Sequence, residues 1–112
     1  MQKDIVSFTD FQKLDLRVGL VRSAELVKGS KNLIRMNVDL GEEYGERKIL
    51  AGLAKWYKPA YLKNKKFVFL ANLAPKQMLK EMSNGMILCA DTGNDVKIIK
   101  ISNSIPAGTI VR

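Results

Sequence analysis

The sequence predicts a small all-β fold, a barrel of about five short strands accompanied by short helices. Two observations carry this prediction. Apolar segments of strand length recur along the chain, one of them with a clean alternation of apolar and polar residues, and clusters of turn residues separate them. The 112 residues suffice for one core and exclude a second. We therefore expect residues 1–112 to form a single domain.

A short helix is predicted near the N-terminus. Phe8, Phe11 and Leu14 recur at three-residue spacing, which places them on one side of a helix. Thr9 or Asp10 can accept a hydrogen bond from the first free N–H groups and so begin the helix. We expect a turn or two of helix that caps the core.

A long first strand follows from Asp15 to Val27. Its side chains alternate, with Leu16 and Val18 on one face and Arg17 and Gly19 on the other. Shortly after Gly19 the alternation slips in phase. This slip predicts a bulge or strong bend, as a strand needs when the two sides of a small barrel share it.

The segment from Lys28 to Asn32 is a polar turn that carries Lys31 and an amide, and by itself it favours a hydrophilic hairpin connection. The next strand, Ile34 to Leu40, alternates cleanly between a core face and a solvent face. Arg35 lies on the solvent face. It can reach a phosphate or pair with an acidic neighbour, and the sequence leaves both alternatives open.

A second turn at Gly41 to Gly45 leads into a third strand, Arg47 to Ala54, which closes near Gly52. The aromatic-rich segment from Trp56 to Leu62 follows, and Pro59 limits it to short helical turns. Aromatic rings interleaved with lysines can stack on single-stranded bases or plug the core. We favour the core.

The apolar segments Phe67 to Ala71 and Met86 to Ala90 are predicted strands joined by a long connection. Long loops on rigid strands often hold binding groups, although a solvated hairpin connection explains the pattern equally well. The last strand-like segments are Val96 to Ile101 and Thr109 to Val111.

The charge balance favours a polyanionic partner. The chain has 19 Lys and Arg against 11 Asp and Glu, a net charge of +8, and a potential of that sign concentrates polyanions near the surface. Solubility alone is the alternative explanation. From Lys55 to Lys80, however, there are seven lysines and no acidic residue, which predicts a patch of one sign. Nucleic acid is therefore the first partner to consider.

Residue types needed for other functions are missing. The chain has no His, which removes the commonest general base and zinc ligand, and it has no Gly-rich phosphate loop. Its one cysteine, Cys89, lies in an apolar segment, as expected of a small buried side chain in a reducing compartment. No stretch has the roughly 18 apolar residues of a membrane span, and the N-terminus lacks the apolar core of a signal peptide. We therefore expect a cytoplasmic protein without enzymatic activity, cofactor or metal.

Several segments resemble one known family in the same order along the chain. They are Phe11–Gly19, Val38–Gly41, Arg47–Ala54, Asn72–Pro75 and Ser83–Met86. Together they resemble the tRNA-binding domain that occurs as a free-standing dimeric protein and as the C-terminal part or β subunit of methionyl-tRNA synthetase. The resemblance runs from Phe8 to Arg112. It implies an oligonucleotide-binding (OB) fold, the same barrel that the strands predict.

The resemblance also implies a site in the connection after the fourth strand, at Asn72, Lys76, Ser83 and Met86. An amide and a hydroxyl can bind phosphate or ribose, Lys76 supplies charge, and Met86 packs on an apolar face. We add five further polar and basic residues to this predicted tRNA-binding set. They are Lys31, Asn32, Arg35, Arg47 and Lys80.

The chain departs from the family at a few positions. Gln77 stands where the family usually has a second basic residue, and Lys80 stands near a family glycine. The turn before the second strand has Lys31-Asn32 where Asp-Lys is frequent.

The expected function is binding of tRNA by shape and backbone charge more than by sequence. The family implies a homodimer, built partly by Ser104 to Arg112, and makes the catalytic subunit of methionyl-tRNA synthetase a candidate partner. The alternative is a secretion-related protein chaperone of the same fold. Its members resemble this chain less between Lys28 and Leu40 and lack the Ser-x-Gly-Met end of the loop, which is Ser83–Met86 in this chain.

Overall fold

The computed structural model describes all 112 residues, and the predicted all-β OB-fold barrel is confirmed. In chain order the elements are α1 (Phe8–Gln12), β1 (Leu16–Leu26), β2 (Ile34–Asp39), β3 (Glu46–Ala51), α2 (Pro59–Leu62), β4 (Lys66–Leu70), β5 (Lys76–Met78), β6 (Glu81–Ser83), β7 (Met86–Ile87), β8 (Cys89–Asp91), β9 (Val96–Ile98), β10 (Lys100–Ile101) and β11 (Ile110–Val111). Neither helix is long and apolar enough to cross a membrane.

Strand β1 is shared between the two sides of the barrel. Its first half pairs antiparallel with β4, from Leu16 to Leu20, and its second half pairs with β2, from Leu20 to Leu26. The register shifts between Val21 and Ser23. The predicted bulge is therefore confirmed, and it turns the strand from one sheet direction to the other.

The face of β1 that lines the core is the one with little apolar signal in the sequence. A Cβ added to Gly19 would lie 2.6 Å from Phe69 Cδ1 and 2.6 Å from Val38 Cγ1. Val21, on the same side just before the bulge, is fully buried in the core cluster. Val18 is also buried but lies outside that cluster. Gly19 is thus required by close packing in the barrel interior.

Arg17, predicted on a polar face, is only 7% exposed. Burial of its charge is offset because its guanidinium donates to Asp15 Oδ1 at 2.6 Å, to the Gly108 carbonyl at 3.0 Å and to Glu43 Oε1 at 3.2 Å. Hydrogen bonds from Arg17 and Tyr44 hold the pKa of Asp15 below its usual value. The network ties the start of β1 to two turns at one end of the barrel.

Helix α1 differs from the prediction in its start and its role. Ser7, in extended conformation, begins the helix by accepting a hydrogen bond from the Asp10 N–H at 3.0 Å. No residue of the helix is buried, and Phe8 is 71% exposed. The predicted core-capping role is wrong because the barrel is filled without these side chains, and α1 instead presents an apolar surface.

The burial of β2 and of the aromatic segment agrees with the predictions made from the sequence. The alternate residues of β2 from Ile34 to Val38 are buried, as predicted. Trp56 and Tyr57 pack against the core cluster, which confirms the core interpretation. The Tyr57 hydroxyl accepts a hydrogen bond from the Ile98 N–H at 3.1 Å. Helix α2 begins at Pro59 and ends within one turn.

The predicted strand from Met86 to Ala90 is divided in the structure. Strands β7 and β10 both pair with the free edge of β4, opposite Phe69 and Phe67 respectively. The β8–β9 hairpin projects between them, with Cys89 paired to Ile98. Its half-buried Cys89 packs against the core, and this burial raises the pKa of the thiol.

The barrel closes between β3 and β7 without a regular strand ladder. The Asn84 N–H donates to the Lys48 carbonyl at 2.9 Å, and the Leu50 N–H donates to Ser83 Oγ at 3.0 Å. We call this contact between β3 and residues 83–85 the seam. Gly85 packs tightly there, since an added Cβ would lie 3.1 Å from the Leu70 carbonyl oxygen and its φ is +132°.

Replacing Gly19 by Ala should lower the free energy of unfolding by about 1–3 kcal/mol, because the new methyl overpacks the core against Phe69 and Val38. Urea denaturation measures the change. Gly52→Ala is the matched control, since an added Cβ there meets nothing within 4 Å. Equal stability of Gly19→Ala and the control would contradict the packing assignment.

Candidate nucleic-acid interface

The long connection after β4 contains a hairpin of its own. Strands β5 and β6 pair antiparallel, from Lys76 opposite Ser83 to Met78 opposite Glu81. The two-residue tip is Leu79-Lys80, and Leu79 has a φ of +57°, in the left-handed region that favours glycine. The hairpin therefore holds the predicted binding residues Lys76 and Lys80 on a defined backbone.

Glu81 fastens this hairpin to the barrel wall through ion pairs with Arg35 and Lys48, which we call the latch. Its carboxylate accepts two hydrogen bonds of 2.6 Å from Arg35 on β2, in a bidentate arrangement, and lies 3.3 Å from Lys48 Nζ on β3. Arg35 also pairs with Glu25 at 2.8 Å. Sequence reasoning missed Glu81. The available signal was that Glu81 is the single carboxylate between Arg47 and Ala90.

Arg35 thus takes the second of the two roles that its sequence position left open. Its guanidinium is engaged by Glu81 and Glu25, and it lines a cavity of about 480 Å³ together with Lys28 and Lys80. The cavity lies where the turn after β1 meets the hairpin tip. Arg35 therefore holds the hairpin against the barrel.

Ser83, Lys76 and Met86 lie together around a second depression. We call it the apolar groove, and Gly52 and Leu73 also line it. Ser83 is 4% exposed, and besides accepting from Leu50 its hydroxyl donates to the Gly85 carbonyl at 3.1 Å. Both hydrogen-bonding functions of the hydroxyl are used within the protein. Met86, by contrast, is 44% exposed at the groove margin.

Asn72 lies apart from this group. Its Oδ1 accepts from the Asp15 N–H at 2.8 Å, and its Nδ2 donates to the Lys13 carbonyl at 2.7 Å. The side chain thereby joins the end of β4 to the segment between α1 and β1. It borders a depression shared with Phe11 and Ile110.

The remaining predicted residues are distributed around the barrel. Lys31 and Asn32 are exposed on the turn before β2, where Ser30 Oγ accepts from the Asn32 N–H at 3.2 Å. Arg47 lies 5.2 Å from the centre of the Tyr44 ring and lines neither the cavity nor the groove. The structure therefore brings only part of the predicted set together.

The exposed lysines of the predicted set carry charge that no carboxylate compensates. Lys31, Lys76 and Lys80 take part in none of the eight ion pairs of the structure. Lys28, beside the same cavity, is also free of ion pairs. Exposed cations without carboxylate partners remain available to phosphate groups.

The fold and this surface together define a class of protein. A strongly basic barrel of the oligonucleotide-binding type, with free lysines on a latched hairpin, is typical of a nucleic-acid-binding module. No group of three or more His, Cys, Asp and Glu side chains is placed to hold a metal ion. The family model described as "Putative tRNA binding domain" matches residues 16–110. The chain belongs to this tRNA-binding-domain family, and the family predicted from the sequence motifs is confirmed.

Curated relatives match nearly the whole chain. Methionine–tRNA ligase of Clostridium tetani is 45% identical over 112 residues, which cover 98% of this chain and 17% of the ligase. Methionine–tRNA ligase of Methanothrix thermoacetophila is 43% identical over 111 residues, which cover 99% of this chain and 16% of the ligase. The chain thus spans about one sixth of the length of these relatives.

Two crystal structures share the complete barrel. A MetRS related protein from Pyrococcus horikoshii has a TM-score of 0.92 at 36% identity, covering 98% of this chain and 100% of that one. The chaperone CsaA from Bacillus anthracis has a TM-score of 0.87 at 31% identity, covering 97% of this chain and 100% of that one.

The latch should be detectable because it lowers the pKa of the Glu81 carboxyl. The hydrogen bonds from Arg35, followed by the contact with Lys48, lower the pKa of Glu81 from 4.5 to about 2. A carboxyl whose pKa falls on folding stabilises the fold above its unfolded pKa, and this stabilisation is lost as the pH falls toward the folded value. The latch should therefore persist at neutral pH and open between about pH 4.5 and 2.

NMR titration of the Glu81 carboxyl carbon measures this pKa. Arg35→Gln should move the midpoint up toward 4.5, while Lys97→Gln, remote on β9, should leave it unchanged. A midpoint near 4.5 in the unmodified protein would show that the latch does not form in solution.

Proposed function

We propose that the protein binds tRNA through its shape and backbone charge, largely independently of sequence, and has no enzymatic activity of its own. Residues 1–112 act as one OB-fold domain in this proposal. The observation that carries it is the set of lysines without ion-pair partners on and beside a hairpin held rigidly to the barrel. Membership of the tRNA-binding-domain family supports tRNA as the polyanion.

In this mechanism the predicted residues divide into contacts and positioning groups. Lys76 and Lys80 neutralise phosphates, and the release of counterions provides affinity that does not depend on sequence. Lys31 and Asn32 contact the backbone from the neighbouring turn, and Arg47 contributes a peripheral cation. A folded RNA that spans the hairpin and the turn contacts Lys76, Lys80, Lys31 and Asn32 at once, and Arg47 on β3 adds charge outside this area.

The positioning groups hold the contacts in place. Ser83 fixes the seam, Arg35 fastens the hairpin through Glu81, and Asn72 anchors the beginning of the connection. Met86 provides an exposed apolar surface beside Lys76. Substitution of the positioning groups acts on binding through the hairpin.

We also propose a homodimer in the cytoplasm. Exposed apolar side chains of α1, of the segment after it and of the C-terminal strand border one depression at the same end of the barrel; they include Phe8, Leu14 and Ile110. This surface supports pairing through α1 and residues 104–112. The methionine–tRNA ligase relatives make association with a methionyl-tRNA synthetase catalytic subunit the natural extension of the proposal.

A polypeptide chaperone is the second candidate function. The similarity to the chaperone CsaA and the exposed apolar groove beside Met86 favour it. The absence of acidic residues from Lys55 to Lys80 favours RNA instead, since an unfolded polypeptide does not require a surface of one sign.

Filter binding with a folded tRNA at several salt concentrations tests the main proposal. The dissociation constant should rise steeply with salt, and Lys76→Ala should weaken binding and reduce the slope of log K against log salt by about 1, because one phosphate contact is lost. Lys97→Ala is the control, since Lys97 is remote on β9 and pairs with Asp95 at 3.6 Å. A flat salt response, or selective retention of unfolded peptide over tRNA, would overturn the tRNA proposal.

Light scattering tests the dimer. The expected mass is twice the 12.6 kDa of one chain, and Phe8→Ser with Ile110→Ser should shift the protein toward the monomer because both remove exposed apolar contact area. Leu79→Ser, which removes an exposed apolar side chain at the hairpin tip, should leave the mass unchanged. A mass of 12.6 kDa for the unmodified protein would reject the proposed dimer.

A further inference from the structure

An apolar groove runs between the end of β3 and the hairpin. It has a volume of about 250 Å³ and is lined mainly by apolar residues, with one ionised side chain, Lys76, and no acidic residue. Its walls include Leu53 and Met78, and Leu73 is 41% exposed at its margin. Pockets for drug-sized ligands usually measure about 300–1,000 Å³, so this groove fits a single flat group.

Gly52 keeps the groove open. A Cβ built on Gly52 meets no atom within 4 Å, and its backbone is not in the left-handed region. The N–H and C=O of Gly52 form no hydrogen bond within the protein. A residue that lines the groove therefore has a backbone donor and an acceptor without partners in the protein, and the edge of a nucleobase offers complementary groups.

The charge around the groove selects between a nucleic acid and a peptide. Lys76 at the rim is free of ion pairs, and Lys80 lies on the same hairpin. An unstacked nucleotide offers an apolar face for Leu73 and Met86 and a phosphate for Lys76. This combination matches the groove better than an apolar peptide side chain, which carries no negative charge to pair with Lys76.

The two tyrosine rings near α2 already make contacts with each other and with neighbouring groups. One face of Tyr61 stacks on Tyr57, with the ring centres 5.4 Å apart, and Lys65 Nζ lies 4.0 Å from the Tyr61 ring centre. Tyr57 is further held by its hydrogen bond to the Ile98 N–H. The rings are therefore already engaged in contacts within the protein.

We infer that the apolar groove bounded by Gly52, Leu73 and Met86 receives one unstacked nucleobase of the bound RNA, while Lys76 holds the adjoining phosphate. The inference rests on the proposed function and adds to it a contact that requires a single-stranded nucleotide. The RNA therefore carries an unpaired base at the hairpin, in addition to phosphates recognised by charge.

Filling the groove tests this inference. Gly52→Leu places a side chain in the open space, and Leu73→Ser removes an apolar wall. Each variant should weaken binding of a tRNA and of a short single-stranded RNA about tenfold, because the base loses apolar contact area in the groove. Affinity for an RNA duplex of the same length, and the salt slope for tRNA, should not change, since no phosphate contact is lost. Ala60→Leu, at an exposed position of α2, is the matched control.

Circular dichroism establishes which variants are folded. If Gly52→Leu is unfolded, the binding data for Leu73→Ser test the groove assignment. Unchanged affinity for tRNA and single-stranded RNA in folded variants would overturn the groove assignment. Equal losses for duplex RNA would also overturn it, as would loss of unfolded-peptide binding with RNA binding retained. Failure of the unmodified protein to bind tRNA rejects the proposed function separately, because the single-stranded RNA still tests the groove.

Discussion

The seam between β3 and residues 83–85 is the contact on which the rest of the structure depends. No strand ladder joins β3 to β7, so closure rests on Ser83 accepting from Leu50 and on Asn84 donating to Lys48. The same segment ends the hairpin that carries the exposed lysines. The same segment therefore closes the barrel and positions the cationic surface. The ion pairs of Glu81 with Arg35 on β2 and Lys48 on β3 reinforce this arrangement.

Most of the fold could be predicted because it depends on local periodicity. The alternation in β2 and the phase slip in β1 are properties of neighbouring residues, and both appear in the structure as expected. The errors arose where a contact distant in sequence decides the outcome. Gly19 lines the core only because Phe69 packs against it, and Arg17 can be buried only because Asp15, Glu43 and Gly108 satisfy its donors.

The candidate site could be predicted less completely, for the same reason. Family motifs identified Lys76, Ser83 and Met86, which the structure places around one groove. The role of Arg35 depends on a carboxylate 46 residues away, and pattern alone does not connect the two. Gly52 carries no side-chain signal, and what distinguishes it is the empty volume beside it. Sequence reasoning therefore named charged candidates for contact with RNA but missed the latch and the groove.

The β8–β9 hairpin bears on how this barrel can be elaborated. Because β7 and β10 meet the same edge of β4, the chain leaves and rejoins the barrel at nearly one place. Residues 91–94 at the hairpin tip are exposed, and Gly93 has open space around it. Exposed tips of this kind accept added sequence with little effect on the core. The hairpin is thus a natural attachment point, through which a fused module or a spectroscopic label can be carried without interrupting the barrel strands.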